Sequence, residues 1–276
     1  MEDIFEKARR RQQQIYASLN EQPTESFLGL VEASGPGASK SKGEKDWTVS
    51  IGLVAWKDSK GILQKNGMTL RKIVPEEKTG ELTKKIEPYA IVSFKAKVAD
   101  FEGFDKKQAL LINLENANAQ DDELNEIAEN LKQPVCHKVP HLGTFTLDRS
   151  VNWYEGKKRY GLRHVSIYLD TSEGEEFSEL AKQAQEIWKK IKKLDQDARD
   201  CAVSELLETK NGFWLNDGDS EISEKAFRKQ MTLDYLNLDS NGSVEFAYND
   251  GDLFWGHTIV VRGNHDTGFT DAGIEG

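Results

Sequence analysis

A chain of 276 residues has room for roughly two domains of ~100–150 residues, each with its own core. With 37% hydrophobic and 30% charged residues and a mean hydropathy of −0.64, the composition excludes a fibrous or wholly disordered chain and suits a soluble globular one. The charge is uneven: residues 1–140 hold 21 bases against 22 acids, residues 141–276 hold 16 against 25, so nearly all of the net charge of −10 falls in the second half.

Nothing approaches the ~18–20 unbroken apolar residues of a membrane span. The opening MEDIFEKARRRQQQ lacks the apolar core of a signal peptide, so a cytoplasmic protein is expected. Cys136 and Cys201 are far apart and belong to no CxxC pair, which favours two reduced thiols over a disulfide framework or a structural zinc site.

In chain order, residues 2–21 space Ile4, Phe5, Ala8, Ile15 and Leu19 as a helix that ends before Pro23. The run from Gly35 to Gly43 reads as a flexible loop by composition. Strand patterns occupy FLGLVEA (27–33), WTVSIGLVAWK (47–57), MTLRKIV (68–74), YAIVSFKAKVADF (89–101) and QALLINL (108–114). Between the third and fourth, Leu82 and Ile86 make one short helical face. Three strands, a short helix and two strands is the element order of an OB-type five-stranded barrel. Residues 121–133 read as a helix with Leu124, Ile127 and Leu131 on one stripe and Asp121 or Asp122 as cap. Pro134 and Pro140 then bracket an extended linker. The expected organisation is an N-terminal helix (1–22), an OB-like barrel (23–118), a helix and linker (119–140) and an α+β domain (141–276), the last with helices packed on an antiparallel sheet.

In that second domain a turn is expected at Glu155–Lys158 and a half-buried strand at Val165, Ile167 and Leu169. Phe177, Leu180, Ala184, Ile187, Ile191, Leu194, Ala198 and Cys201 form the seam of a long amphipathic helix, which Asp195 could split by capping a second one. Ser223 is a plausible cap for a helix carrying Ala226, Phe227 and Met231. Three strands then alternate to the end of the chain. A three-residue loop, Ser240-Asn241-Gly242, sets Leu238 opposite Val244 and Leu236 opposite Phe246. A two-residue Asp250-Gly251 turn sets Tyr248 opposite Leu253, Phe246 opposite Trp255 and Val244 opposite His257. This register turns His257 and Trp255 toward the helices, leaving the carboxylates in water.

Catalytic templates are missing: no GxSxG elbow, Walker loop, GxGxxG, HExxH or paired Cys/His metal spacing occurs. An EF-hand reading of Asn237, Asp239, Asn241 and Gly242 fails because Tyr248 stands where the bidentate carboxylate is needed. No metal and no cofactor are expected. From Leu233 onward eight acids face one base, Arg262, a surface that repels phosphate and attracts a basic partner. The candidate binding residues are Asp250, Asp252, Trp255, His257 and Asp266. The alternative, a hydrolase, makes His257 the general base, oriented by Asp250, Asp252 or Asp266. Single-strand nucleic-acid binding by Trp47, Trp56 and Phe94 with Lys57, Lys95 and Lys97 needs a basic groove that a near-neutral first half does not promise, so nucleic acid is disfavoured.

Three segments carry a resemblance: LGTFTLDRSVNWYEG, NGFWLNDG and NDGDLFWGHTIVV. They resemble the bacterial family of the domain of unknown function 2262, with Asp250, Gly251, Phe254, Trp255, Gly256 and His257 matching its most recognisable string. The match covers about half of the chain. It brings no activity with it and implies an accessory protein of the immunity type, which suits an acidic surface. The expectation is therefore a non-catalytic cytoplasmic protein whose C-terminal domain docks on a basic protein partner.

Overall fold

Residues 4–171, 176–239 and 241–276 are described in a computed structural model of the chain. Contacts separate two units, Met1–Gln133 and Pro134–Gly276. The first comprises α1 (Ile4–Glu21), β1 (Glu25–Ser39), β2 (Trp47–Lys57), the two-residue β3 (Leu63–Gln64), β4 (Met68–Val74), a 3₁₀ turn and α2 (Thr79–Thr83), β5 (Ile91–Ala99), β6 (Lys107–Asn116) and α3 (Asp122–Lys132). The side chains of Ile4, Phe5 and Ala8, expected on the buried face of the first helix, lie outside the described residues; Leu19 on that face is buried.

Because β1 pairs with both β2 and β5, the ring β1-β2-β4-β6-β5 closes on itself. Its one parallel pair is β4 with β6. This is the connectivity of the OB-type barrel expected from element order. Residues 35–39, expected in a loop, instead continue β1, with Pro36 opposite Ile51. A register shift between Val31 and Pro36 lets one strand bend around the barrel without losing its partner. Alternate residues fill the interior, among them Ile51 and Leu53 of β2, Leu70 of β4 and Phe94 of β5, joined by Leu82 and Ile86. Outside it, Leu124 and Ala128 of α3 bury with Leu30, Ala55 and Ile91. Asp121 caps α3 by accepting from the Leu124 N–H at 3.0 Å, and Lys57 Nζ lies 2.7 Å from both Asp121 and Glu123.

The second unit comprises β7 (Cys136–Val139), β8 (Gly143–Asp148), β9 (Trp153–Tyr160), β10 (Arg163–Asp170), α4 (Phe177–Lys189), α5 (Ile191–Phe213), α6 (Glu224–Gln230), β11 (Thr232–Leu238), β12 (Ser243–Asn249), β13 (Thr258–Asn264) and β14 (Gly268–Glu275). Its eight strands lie side by side in sequence order. All neighbours are antiparallel except β10 and β11, which the three helices connect. The expected linker around residues 136–139 is thus an edge strand, β7, paired with β8.

The expected turn at Glu155–Lys158 is the middle of β9. Gly156 misleads there: it sits opposite Phe145, whose ring would lie 2.7 Å from a Cβ at 156, so this glycine makes room in a strand rather than a bend. The chain turns instead before Trp153, where Asp148 Oδ1 accepts from the Ser150 N–H at 2.8 Å and Asn152 takes a positive φ of 59°.

Val165, Ile167 and Leu169 alternate onto the same core as Leu236, Val244, Phe246, Tyr248, Ile259 and Val261, against Leu180, Ala184, Ile187, Ile191 and Ala198 of the helices. Ser223 caps α6 at 3.3 Å to the Ala226 N–H. The long helical seam does break in two, at Lys190 rather than at Asp195. Leu238 pairs with Val244 and Leu236 with Phe246, as the alternation requires; Ser240 lies outside the described residues. At the next turn the expected register is replaced. Tyr248 pairs with Ile259, Phe246 with Val261 and Val244 with Gly263, so residues 250–257 leave the ladder altogether. A shift of six residues is even, which is why the apolar faces still match. The terminal strand β14 was not expected.

Asp195 is a buried carboxylate inside α5. Its oxygens accept from Tyr248 and Tyr160, each at 3.0 Å, and from Arg199 Nε at 2.9 Å. Arg199 also donates to the carbonyls of Arg228 and Met231 at 2.7 Å, and its guanidinium lies 5.0 Å from the Tyr248 ring centroid. One ion pair thereby ties α5 to the sheet and to the end of α6. Breaking such a pair strands a buried charge at a cost of roughly 3–5 kcal/mol. Arg199→Met is expected to lower thermal stability by at least about 6 °C, and the double variant Asp195→Leu/Arg199→Met to regain most of that loss; equal melting temperatures for wild type and single variant would refute the role.

Burial, and then the Asp195 charge, push the Tyr160 hydroxyl up to about 12 and that of Tyr248 well above its ordinary value. Unfolded phenols ionise near ~10, so the unfolded chain releases these protons first. The contribution is complete below that pH and is lost as pH rises through about 10 to 12. Denaturant titrations in that window should show falling stability in the wild type and a shallower fall in Tyr160→Phe.

Candidate functional site

The sequence-selected residues around 250 converge on one loop, and one carboxylate builds it. Asp250, only 1% exposed, accepts from three backbone N–H groups: that of Asp252 at 3.2 Å on Oδ1, and those of Phe254 at 2.6 Å and Gly256 at 3.2 Å on Oδ2. Asn249 Oδ1 accepts from the Gly251 N–H at 3.1 Å. A short polar side chain that satisfies the amides of its own turn is what Asp and Asn do in loops. Gly251 is required twice over. Its φ is +57°, and a Cβ there would stand 2.7 Å from the Gln230 carbonyl oxygen.

Around that carboxylate the side chains sort by direction. Leu253 and Phe254 turn into the core, where Phe254 meets Trp214 and Phe227 edge-on at 5.4 and 6.0 Å. Trp255 turns outward, 59% exposed, with a left-handed backbone of φ +57°. For an aromatic residue this region is sterically strained. Its indole lies 4.7 Å from that of Trp214 at the end of α5, next to the exposed Phe213. Asp252, also with positive φ, is exposed beside it. The chain after Trp214 adds exposed Asp217, Asp219 and Glu221; the Asn216 backbone and side-chain N–H groups hold the Asp219 carboxyl below its usual range. Trp255, Trp214 and Phe213 thus form an aromatic patch with Asp252 on the same loop as Trp255, and Lys210 donates to the Trp214 carbonyl at 2.6 Å.

His257 is half-buried. Its Nδ1–H donates to the Phe254 carbonyl at 2.6 Å, which leaves Nε2 as the free lone pair. The ring meets Trp214 edge-on at 5.4 Å. Among the described residues no carboxylate side chain lies within 4.0 Å of this imidazole. Asp250 is committed to backbone amides. Asp266 sits at the β13–β14 hairpin, the far end of β13 from the 250–257 loop, where it lies 3.4 Å from Nε2 of a different histidine, His265. The structure therefore corrects two expectations: Trp255 and His257 do not share the apolar face of the ladder, and His257 forms no acid–base pair with Asp250, Asp252 or Asp266. The reason is common to both, since Asp250 draws eight residues into a loop where a two-residue turn was expected.

Trp56 and Phe94, considered as stacking surfaces, are 5% and 0% exposed and belong to the barrel core with Phe27. Among the described residues no three His, Cys, Asp or Glu side chains gather as a metal site. Both cysteines are free, and no described helix is long and apolar enough to cross a membrane. Sequence reasoning missed Trp214 and Phe213, although the NGFWLNDG segment contains both; no periodicity marks them, because they lie where α5 ends.

Removing the Asp250 carboxylate leaves the Phe254 and Gly256 amides without their acceptor. Asp250→Ala is expected to cost about 3 kcal/mol and to abolish hydrogen-exchange protection across 250–257, with Asp250→Asn intermediate. Unchanged exchange in the alanine variant would show that the loop does not depend on this side chain.

No curated protein matches the chain. Two solved structures resemble part of it: the wild-type single-stranded DNA binding protein from Thermus aquaticus, at 9% identity and a TM-score of 0.24, and a deletion mutant of the same protein, at 10% and 0.22. Each match covers 54% of this chain and about three quarters of the other; likenesses this slight carry no weight here. Residues 12–131 match the family described as "Domain of unknown function (DUF7021)". The model of the family described as "Uncharacterized protein conserved in bacteria (DUF2262)" matches residues 140–274, and the C-terminal half, with the Asp250 loop in it, belongs to that family.

Proposed function

We propose that this is a non-catalytic binding protein whose acidic C-terminal unit docks on a basic protein partner, with Trp255 as the anchor. The observation that carries the proposal is the backbone of Trp255: a bulky aromatic residue stands outward in the left-handed region, 59% exposed, on a loop organised by a fully buried carboxylate. Strain of this kind persists only where surrounding structure enforces it, and tryptophan in such a setting is the residue type that dominates binding hot spots. Asp252 on the Trp255 loop, and the exposed Asp217, Asp219 and Glu221 on the chain that follows Trp214, supply the acids that select a basic partner and speed its approach.

Of the five binding residues expected from sequence, Asp252 and Trp255 keep that role. Asp250 becomes the scaffold, His257 a side wall of the patch, and Asp266 lies at the other end of the sheet and takes no part. An immunity-type accessory role in the cytoplasm is the setting that suits such a surface and two free thiols. The hydrolase alternative finds no support among the described residues, where no carboxylate side chain lies within 4.0 Å of the His257 imidazole.

The test uses the full chain as bait in an extract of its bacterial host, beside Trp255→Ala and Asp252→Lys, followed by titration of the purified protein retained. The expected partner is basic. Trp255→Ala should weaken it at least about 30-fold, and Asp252→Lys and a rise from about 50 to about 300 mM salt should both slow association. An acidic partner, equal retention by all three baits, or salt-insensitive binding would overturn the proposal.

A further inference from the structure

The N-terminal unit holds a cleft of about 560 Å³ between α1 and the barrel strands β2 and β4, within the range of small-molecule sites. Helix α1 is pinned over it at two loops. Arg9 Nη2 donates to the Lys42 carbonyl at 3.1 Å in the loop after β1. Arg11 Nη2 donates to the Glu102 carbonyl at 2.9 Å in the loop after β5, and its guanidinium lies 4.9 Å from the Phe104 ring centroid.

The cleft's charge is unbalanced. Lys7, Arg11 and Arg71 line it against one acid, Glu44, whose carboxylate already accepts from the Ser41 N–H at 3.1 Å. Arg71 is half-buried on β4, and the partner it has is the neutral amide oxygen of Gln108; among the described residues no carboxylate lies within 4.0 Å of it. Burial depresses its pKa. The Tyr16 hydroxyl, also lining the cleft, is sealed from solvent without a hydrogen-bond partner among the described residues. A guanidinium partly withdrawn from water without a counter-charge, beside an unsatisfied phenol, is costly unless something else completes it. Guanidinium forks match phosphate oxygens in shape as well as charge.

We propose that this cleft binds a small organic phosphate of about nucleotide size. Arg71 and Arg11 take the phosphate oxygens, Tyr16 and the Ser50 hydroxyl of β2 donate to them, and Phe104 and Ile15 flank the organic body. Helix α1, fastened at both loops, favours a compact ligand beneath it over a polymer crossing the barrel face. The site lies in the N-terminal unit and is independent of the docking surface proposed above.

Calorimetric titration of the full chain with adenosine 5′-monophosphate, with inorganic pyrophosphate and with a short oligothymidylate tests it. Saturable binding of the monophosphate is expected, weakened at least about tenfold by Arg71→Gln and only in part by Arg71→Lys, which keeps the charge but loses the fork. Tyr16→Phe should weaken it about threefold, and circular dichroism of each variant separates lost binding from lost fold. No heat from either phosphate up to about 5 mM, affinity indifferent to Arg71→Gln in a folded variant, or oligothymidylate binding tighter than the monophosphate would overturn the proposal.

Discussion

One face of the eight-stranded sheet must be kept from water, and the C-terminal unit is arranged around that requirement. Val165, Ile167, Leu169, Leu236, Val244, Phe246, Ile259 and Val261 all point to the same side, so the connection from β10 to β11 cannot be a short loop; it is three helices laid over the face. Apolar burial has no direction of its own, and the directional element comes from Asp195. By accepting from Tyr248 on the sheet, Tyr160 on β9 and Arg199 on its own helix, it fixes where α5 lies on the sheet. A carboxylate inside that layer is tolerable because each of its oxygens is bonded and a guanidinium balances its charge.

A second buried carboxylate, Asp250, works at shorter range and to a different end. Where Asp195 joins elements, Asp250 gathers amides of its own loop and so forces residues 250–257 off the ladder. The same contacts turn Phe254 inward and Trp255 outward. Two adjacent aromatic residues thus receive opposite environments, one completing the core and the other presenting an indole to solvent. The exposure of Trp255 is therefore a consequence of how the loop satisfies its backbone, since no strand places Trp255 where it stands.

The N-terminal unit meets the edge-strand problem by closure: β1 pairs on both sides, and the ring leaves its five strands without a free edge. Closure turns Phe94 inward and buries Trp56, which leaves the barrel's polar outer face, with Arg71 and Ser50, under α1. Among the described residues, the buried carboxylates Asp195 and Asp250 of the C-terminal unit are bonded within the protein, while in the N-terminal unit Arg71 meets only the neutral amide of Gln108 and the Tyr16 hydroxyl has no partner.

Alternation and spacing in the chain were enough to determine the barrel's element order, a cap at Asp121 or Asp122 and one at Ser223, the helical seam from Phe177 to Cys201, and the pairing of Leu236 and Leu238 with Phe246 and Val244. These are consequences of local geometry, periods of 2 and 3.6 residues and a cap beside an apolar run, and they need no knowledge of distant partners. The family resemblance in 250–257 was legible for the same reason, as a local string. Gly156 and Asp250 were read wrongly because each carries a turn signal whose meaning depends on what lies across from it. Phe145 opposite Gly156 makes that glycine part of a strand, and the buried position of Asp250 widens a hairpin turn into an eight-residue loop. Only the tertiary structure decided that Trp255 faces outward, that no carboxylate side chain among the described residues meets His257, that Asp195 meets two tyrosines, and that Arg71 and Tyr16 share a cleft under α1. Each of these joins residues far apart in the chain or depends on which side of a backbone faces the core, and composition and periodicity encode neither.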